Sequence, residues 1–203
     1  VSNSDSVKLA VAELKEPIDA LIMNAGGMGG KAPEKITTDG VTQQFATNVL
    51  GHVVLVDELL KAGKLKNVAL YASSEAARGV KKMGMKQPDL KTSSIDEFAS
   101  VIDGSYFGDK FDAMQAYVYI KYVATMWMSS EARKNPNIRF ISMSPGSTKG
   151  TAVMDDLGTV QKIMFKYIMM PLIMPMMGMV HSLETGAKRY VLGITDNSLK
   201  SGN

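Results

Sequence analysis

The sequence predicts an α/β protein of the Rossmann-like, doubly wound kind, built on a parallel sheet. Three observations carry that prediction. Short apolar runs at 18–23, 67–72 and 138–143 each end at a turn signal, as buried parallel strands do. Stretches with helical spacing separate them, in the order strand, helix, strand, helix, strand. The 203 residues, 45% hydrophobic and 21% charged, have the composition of one soluble domain with a sizeable core.

Each element has a local cause. Ser4 or Asp5 is placed to cap a first helix running to about Glu16, with Val7, Ala10, Val11 and Leu14 on one face, and Pro17 stops it. Ile18 to Met23 is the first strand and opens into Asn24-Ala25-Gly26-Gly27. From Val41 the apolar positions Phe45, Val49, Val53, Val56 and Leu60 keep helical spacing to Ala62, and Gly63 ends that helix. Asn67 to Ala72 is the second strand, closing on Ser73-Ser74. Residues 78–111 break the rhythm with lysines, glycines and Pro88, apart from a short helix near 95–102 that Ser94 and Glu97 predict as a capping box. A long helix from about Asp112 to Arg133 precedes the third strand, Ile138 to Met143, which ends at Ser144-Pro145-Gly146. His181 to Leu192 reads as a last helix. No internal repeat or domain boundary is visible, so residues 1–203 are expected to form one domain.

Several function classes fall away at this level. A formal charge of +3, with basic residues neither clustered nor interleaved with aromatics, argues against nucleic-acid binding. The absence of cysteine excludes disulfides, thiolate metal sites and a cysteine nucleophile, and no metal site is expected. Val1 to Ser6 is polar and has no signal-peptide pattern, which leaves a cytoplasmic setting as the default. Ile163 to Val180 holds seven methionines in 18 residues. Lys166, Pro171, Pro175 and Gly178 count against a continuous membrane-spanning helix there. A flexible lid over an apolar pocket suits the adaptable methionine side chain best, with ordinary core and a peripheral membrane contact as the other readings.

The residues with chemical promise begin with Tyr117 and Lys121. Four apart on a helix, they share a face and can point together into a cleft. A free phenol ionises near pH 10, and a neighbouring ammonium lowers that value, so Tyr117 could exchange a proton with substrate. The pattern alone is weak, since a core tyrosine beside a surface lysine would look the same. A second copy, Tyr106 and Lys110, lies between Gly104 and Asp112, where glycines disfavour a helix and deny it a common face. What singles out Tyr117 and Lys121 is order. Asn24-Ala25-Gly26, Asn48, Ser73-Ser74, the Tyr/Lys pair and Pro145-Gly146 follow one another at strand ends and on helices. Each has a plain structural reading too: a turn for the serines, a buried hydrogen bond for Asn48, packing for His52 and His181.

That ordered series resembles the short-chain dehydrogenase/reductase family. The resemblance implies a nicotinamide-dependent oxidoreductase, using NADP or NAD. In it Tyr117 is the general acid/base and Lys121 depresses the tyrosine pKa and holds the nicotinamide ribose. Ser74, rather than its neighbour Ser73, steadies the substrate oxygen, and Asn48 helps to hold a proton-relay water. Asn24, Ala25 and Gly26 would support the adenosine side of the cofactor, and Pro145, Gly146 and Thr148 the nicotinamide carboxamide. These ends would line up at the carboxyl edge of the sheet, where such folds place ligands. The family's Thr-Gly-x-x-x-Gly-x-Gly turn is not in this sequence, and Gly26-Gly27-Met28-Gly29-Gly30 runs into Lys31, Ala32 and Pro33 rather than an apolar helix. The expectation is therefore the C-terminal part of the domain, with about three central strands, binding dinucleotide poorly as written. Ile120 stands before the lysine, where the family prefers a small residue, and is expected to reshape the pocket. Gly150 takes the place of a usual Thr or Ser after Pro-Gly, with Thr151 beside it. The separation of 43 positions from Ser74 to Tyr117 is more than compact members have, and resembles the retinol dehydrogenase and protochlorophyllide reductase branches, which handle bulky apolar substrates. A light-dependent protochlorophyllide reductase is disfavoured because that group relies on cysteines. The rival from another class is a non-catalytic binding or regulatory protein that keeps the fold; a homo-oligomer is compatible with either.

Overall fold

The structure, a computed structural model, describes residues 1–81, 86–148, 167 and 180–202. Its centre is a three-stranded parallel sheet of β1 (Ile18–Met23), β2 (Leu65–Ala72) and β3 (Arg139–Met143), in that order. Ala20 to Met23 pair with Val68 to Tyr71, and Val68 to Ala72 pair with Arg139 to Met143. Parallel neighbours need crossovers. These are supplied by a helical run after β1 and by α5 (Ala113–Lys134) after β2. The helical run has three parts: α2 (Gln43–Phe45), a π turn (Ala46–Leu50) and α3 (Gly51–Lys61). The predicted α/β architecture and its three strands are present.

One face of the sheet meets α3 and α5 over a core that includes Val56, Leu59, Tyr71, Ile120, Ala124, Met128 and Phe140. The other face is thinner. Val68, Leu70 and Ile141 lie beneath Tyr190 and Ile194 of α6 (Leu183–Thr195), with Leu199 beside them. Ile22 on β1, 40% exposed, lies beyond that cover.

Several boundaries differ from the sequence expectation, each for a local reason. α1 spans Ser4–Glu13 and is capped by Asn3, whose side chain accepts from the Ser6 amide. It ends short of Glu16 because Leu14 turns extended, and Lys64 draws the Val11 and Leu14 carbonyls to its ammonium. α4 (Ile95–Asp103) has Ser94 as its cap, but Glu97 accepts from the Lys91, Thr92 and Ser93 amides instead of returning to Ser94. Gly104 and Gly108 bracket a single 3₁₀ turn, Ser105–Phe107, so Tyr106 and Lys110 do not share a helix. β4 (Ser147–Thr148) and β5 (Val180–His181) form a small parallel pair with no counterpart in the sequence reading. That pairing delays the last helix, which Ser182 caps by accepting from the Thr185 amide.

Apart from Tyr167 and Val180, the methionine-rich stretch 163–180 lies outside the described residues, as do Gly150 and Thr151. Among the described residues no helix is long and apolar enough to cross a membrane.

Candidate active site

Because the sheet is parallel, the turns that leave β1, β2 and β3 emerge at one edge. The turn after Met23, the Ser73-Ser74 pair and Pro145-Gly146 all lie there. The first half of α5 brings Tyr117 and Lys121 to the same edge.

The turn after β1 is clamped by two residues four apart on the crossover helix. Asn48 is fully buried in the π turn, where the Gly51 amide reaches back five residues to the Ala46 carbonyl. Its Oδ1 accepts from the Gly27 amide at 3.2 Å, and its Nδ2 donates to the Gly27 and Gln44 carbonyls, each at 2.8 Å. His52 donates from Nε2 to the Ala25 carbonyl at 2.7 Å. A carbonyl can only accept, so this bond fixes the proton on Nε2. Burial lowers the His52 pKa, which keeps the ring neutral. The side chain of Asn48 is thus committed to the turn, the structural bond left open by the sequence, while its carbonyl takes a bond from the Tyr71 hydroxyl.

Of the two serines after β2, Ser74 is the one that reaches Tyr117. Ser74 Oγ caps the 3₁₀ turn Glu75–Arg78 by accepting from the Ala76 amide, and lies near enough to Tyr117 to pull the phenol's pKa down. Ser73 Oγ is paired instead with Thr125 Oγ1 of α5 at 2.9 Å.

Lys121 is 4% exposed. Its Nζ donates to the Ala72 carbonyl at 2.8 Å and to the Tyr71 hydroxyl at 3.0 Å, and lies 5.5 Å from the centre of the Tyr117 ring. This geometry reverses one electrostatic expectation. Burial raises the Tyr117 pKa; Ser74 pulls it down and nearby Tyr190 adds to the rise. Lys121 does not lower the phenol, because a lysine buried this deeply gives up its own charge before the phenol ionises. Burial instead brings the lysine itself down to about 7.

The lysine therefore carries a stability signature. Folded Lys121 releases its proton near 7, against 10.5 for the free side chain. Between those values the unfolded chain binds one proton more, so stability rises with pH, by about 1.4 kcal/mol per unit from this group. Urea unfolding at about pH 7.5 and 9 is expected to show that rise, and Lys121→Met to lose it.

Three further predicted positions are held by α6, which the sequence did not connect with the site. The Tyr190 hydroxyl donates to Asn24 Oδ1 at 2.7 Å. Arg189 donates from one Nη to the Pro145 carbonyl at 2.8 Å, and its other Nη lies 3.1 Å from His181 Nε2. Gly146 adopts φ 78°, a left-handed conformation, and a Cβ there would stand 2.5 Å from Arg189. Thr148 lies in β4, in register with His181. No local pattern in 181–195 distinguishes these contacts from those of any amphipathic helix.

Ile120 is fully buried in the main core. A cleft of about 260 Å³ lies along Gly26, Gly27, Gly29 and Gly30, with Gln43 and Thr47 on its helical side. Among the described residues no cluster of His, Asp or Glu is placed to hold a metal ion.

No family model matches the sequence. Over 142 residues the chain is 29% identical to two proteins of Brassica napus, the chloroplastic short-chain dehydrogenases TIC 32 A and TIC 32 B. The match covers 66% of this chain and 40% of each relative, so the chain spans well under two thirds of their length. A small-chain dehydrogenase in complex with NADPH superposes with a TM-score of 0.61 over 99% of this chain and 76% of its own, at 20% identity. A short chain dehydrogenase from Burkholderia cenocepacia J2315 in complex with NADP gives 0.57 over 97% and 69%, at 18% identity. A short chain dehydrogenase family protein from Francisella tularensis subsp. tularensis SCHU S4 gives 0.59 over 99% and 74%, at 13% identity. The fold is that of the short-chain dehydrogenases, and the chain is a distant sequence relative of them.

Proposed function

We propose that this chain is the catalytic portion of an oxidoreductase that uses NADP or NAD. Its reaction is hydride transfer to or from a carbonyl/alcohol pair, or a reducible double bond, in a mainly apolar small molecule. One observation carries the reading: at the carboxyl edge of a parallel sheet, just past the end of β2 with its Ser74, a buried Lys121 lies 5.5 Å from the Tyr117 ring.

The residues suit a nicotinamide and its ribose. A Cβ on Gly26 would meet Asn48 Oδ1 at 2.6 Å and stand 3.7 Å from Lys121 Nζ, so only glycine leaves the ammonium open on that side. Lys121 would hold the ribose hydroxyls there, with Tyr117 beside it, while the turns at Asn24–Gly26 and Pro145–Thr148 would carry the flanking parts of the cofactor. Bound, the nicotinamide supplies or takes up the hydride. Tyr117 gives a proton to the substrate oxygen in reduction and removes it in oxidation. Ser74, placed beside Tyr117 at the end of β2, steadies the same substrate atom. Support for an apolar substrate comes from the seven methionines in 163–180 and the long Ser74-to-Tyr117 interval.

The test is hydride transfer by the natural gene product that carries this chain. It is incubated with NADPH or NADH and a panel of apolar aldehydes, ketones and enones, and loss of the reduced nicotinamide is followed. Turnover of at least one class is expected. Binding of dinucleotide without turnover of any would favour a binding protein that keeps the fold.

A further inference from the structure

We infer that Tyr71 is a positioning residue of this site: its hydroxyl, held between Lys121 Nζ and the Asn48 carbonyl, fixes where the lysine ammonium sits and turns its remaining N–H toward the open Gly26 turn. The inference deepens the proposed reading of the site and rests on it for the lysine's purpose.

Tyr71 lies three residues before Ser74 on β2 and is fully buried. Its hydroxyl is 2.9 Å from the Asn48 carbonyl and 3.0 Å from Lys121 Nζ. The directions of these bonds are forced. A carbonyl can only accept and an ammonium can only donate, so the single phenolic proton goes to Asn48 and an oxygen lone pair faces Lys121. Lys121 has three N–H groups. One goes to Tyr71 and one to the Ala72 carbonyl. The side of Nζ toward Gly26 is left for the third, where a Cβ would come within 3.7 Å. Tyr71 thereby links the π turn on one side of the site to the lysine on the other.

Among the described residues, the groups facing Lys121 are neutral. Tyr71 comes from β2, His52 from α3 and Tyr117 from its own helix, and burial alone accounts for its lowered pKa. With no carboxylate opposite among the described residues, two neutral acceptors balance the desolvation of the ammonium, and removing one favours the uncharged amine. The ring itself also packs, edge-on against His52 at 5.9 Å and with Lys121 Nζ 4.7 Å from its centre. Phenylalanine would keep both contacts. It would lose only the oxygen.

The 203-residue chain, labelled with ¹³C at the lysine ε carbon, is titrated by NMR, and the Lys121 signal is assigned by its absence in Lys121→Arg. Tyr71→Phe is expected to lower the Lys121 midpoint by about one pH unit, the effect of one lost hydrogen bond to a charged group. Replacing Tyr71 by 3-fluorotyrosine, a weaker acceptor of nearly the same shape, is expected to lower it by less, and serves if the phenylalanine variant does not fold. An unchanged midpoint in the folded variants would make Tyr71 an ordinary core aromatic and overturn the inference. No nicotinamide is needed for this titration. A shifted midpoint beside a gene product that transfers no hydride would keep the positioning role and refute the proposed reaction, and the converse pair of results would do the opposite.

Discussion

Tyr117→Phe is expected to lower kcat/KM for hydride transfer by about 10²- to 10⁴-fold in the natural gene product, with dinucleotide affinity changed only a few-fold. The substitution removes one oxygen and leaves the ring beside Lys121 in place. Loss of turnover with binding retained is the signature of a group acting in the transition state. The raised pKa of Tyr117 adds a pH dependence with a definite sign. A phenol above its ordinary value is protonated throughout the neutral range, so it is ready to donate in reduction. Oxidation needs the phenolate and should therefore accelerate as pH rises from about 7 to 9. Steady-state rates in both directions, for the parent and Tyr117→Phe, check this: an oxidation rate flat over that interval, or a variant as active as its parent, would remove Tyr117 from the acid/base role.

Phe140→Ala is expected to destabilise the chain by about 3–5 kcal/mol. Phe140 is fully buried near the start of β3, opposite Ala69, in the same core cluster as Ile120 and Met128. Its backbone is also engaged, with the amide bonded to Ser201 Oγ and the carbonyl to the Gly202 amide. The neighbouring strand therefore has little freedom to close the void that alanine would leave, and an incompletely relaxed cavity is what sets the upper end of that range. Urea unfolding reads the change. A loss below about 1 kcal/mol would mean that the sheet does not pack as described.

The three central strands were legible because Pro17, Asn24-Ala25-Gly26, Ser73-Ser74 and Pro145-Gly146 punctuate apolar runs too short to be helices. The edge on which Tyr117, Lys121 and Ser74 assemble followed from the parallel order, since parallel strands emerge on one side. Three things were hidden. The π turn at Ala46–Leu50 leaves the 3.6-residue spacing of Phe45, Val49, Val53 and Val56 looking continuous, because an extra residue in one turn shifts the stripe by less than its own width. Tyr71 sits in Val68-Ala69-Leu70-Tyr71-Ala72, where a buried strand alone would call for an apolar or aromatic residue, so nothing marked its hydroxyl as a partner for Lys121. The direction of the Tyr117 shift was missed because spacing on a helix fixes which face two side chains share, but not how deeply they are buried, and burial raises the phenol while lowering the lysine. The Ala72 carbonyl and Tyr71 hydroxyl, both supplied by the sheet, captured the ammonium.

The central claim is that Lys121 and Tyr117 form one half of a nicotinamide site. It is tested most directly by titrating the natural gene product with NADPH and NADH, following nicotinamide fluorescence, alongside Lys121→Ala. Saturable binding of at least one dinucleotide, weakened about tenfold or more when Lys121 loses its ammonium, is the predicted result. Binding that ignores the substitution, or no binding of either dinucleotide by the folded gene product, would contradict it.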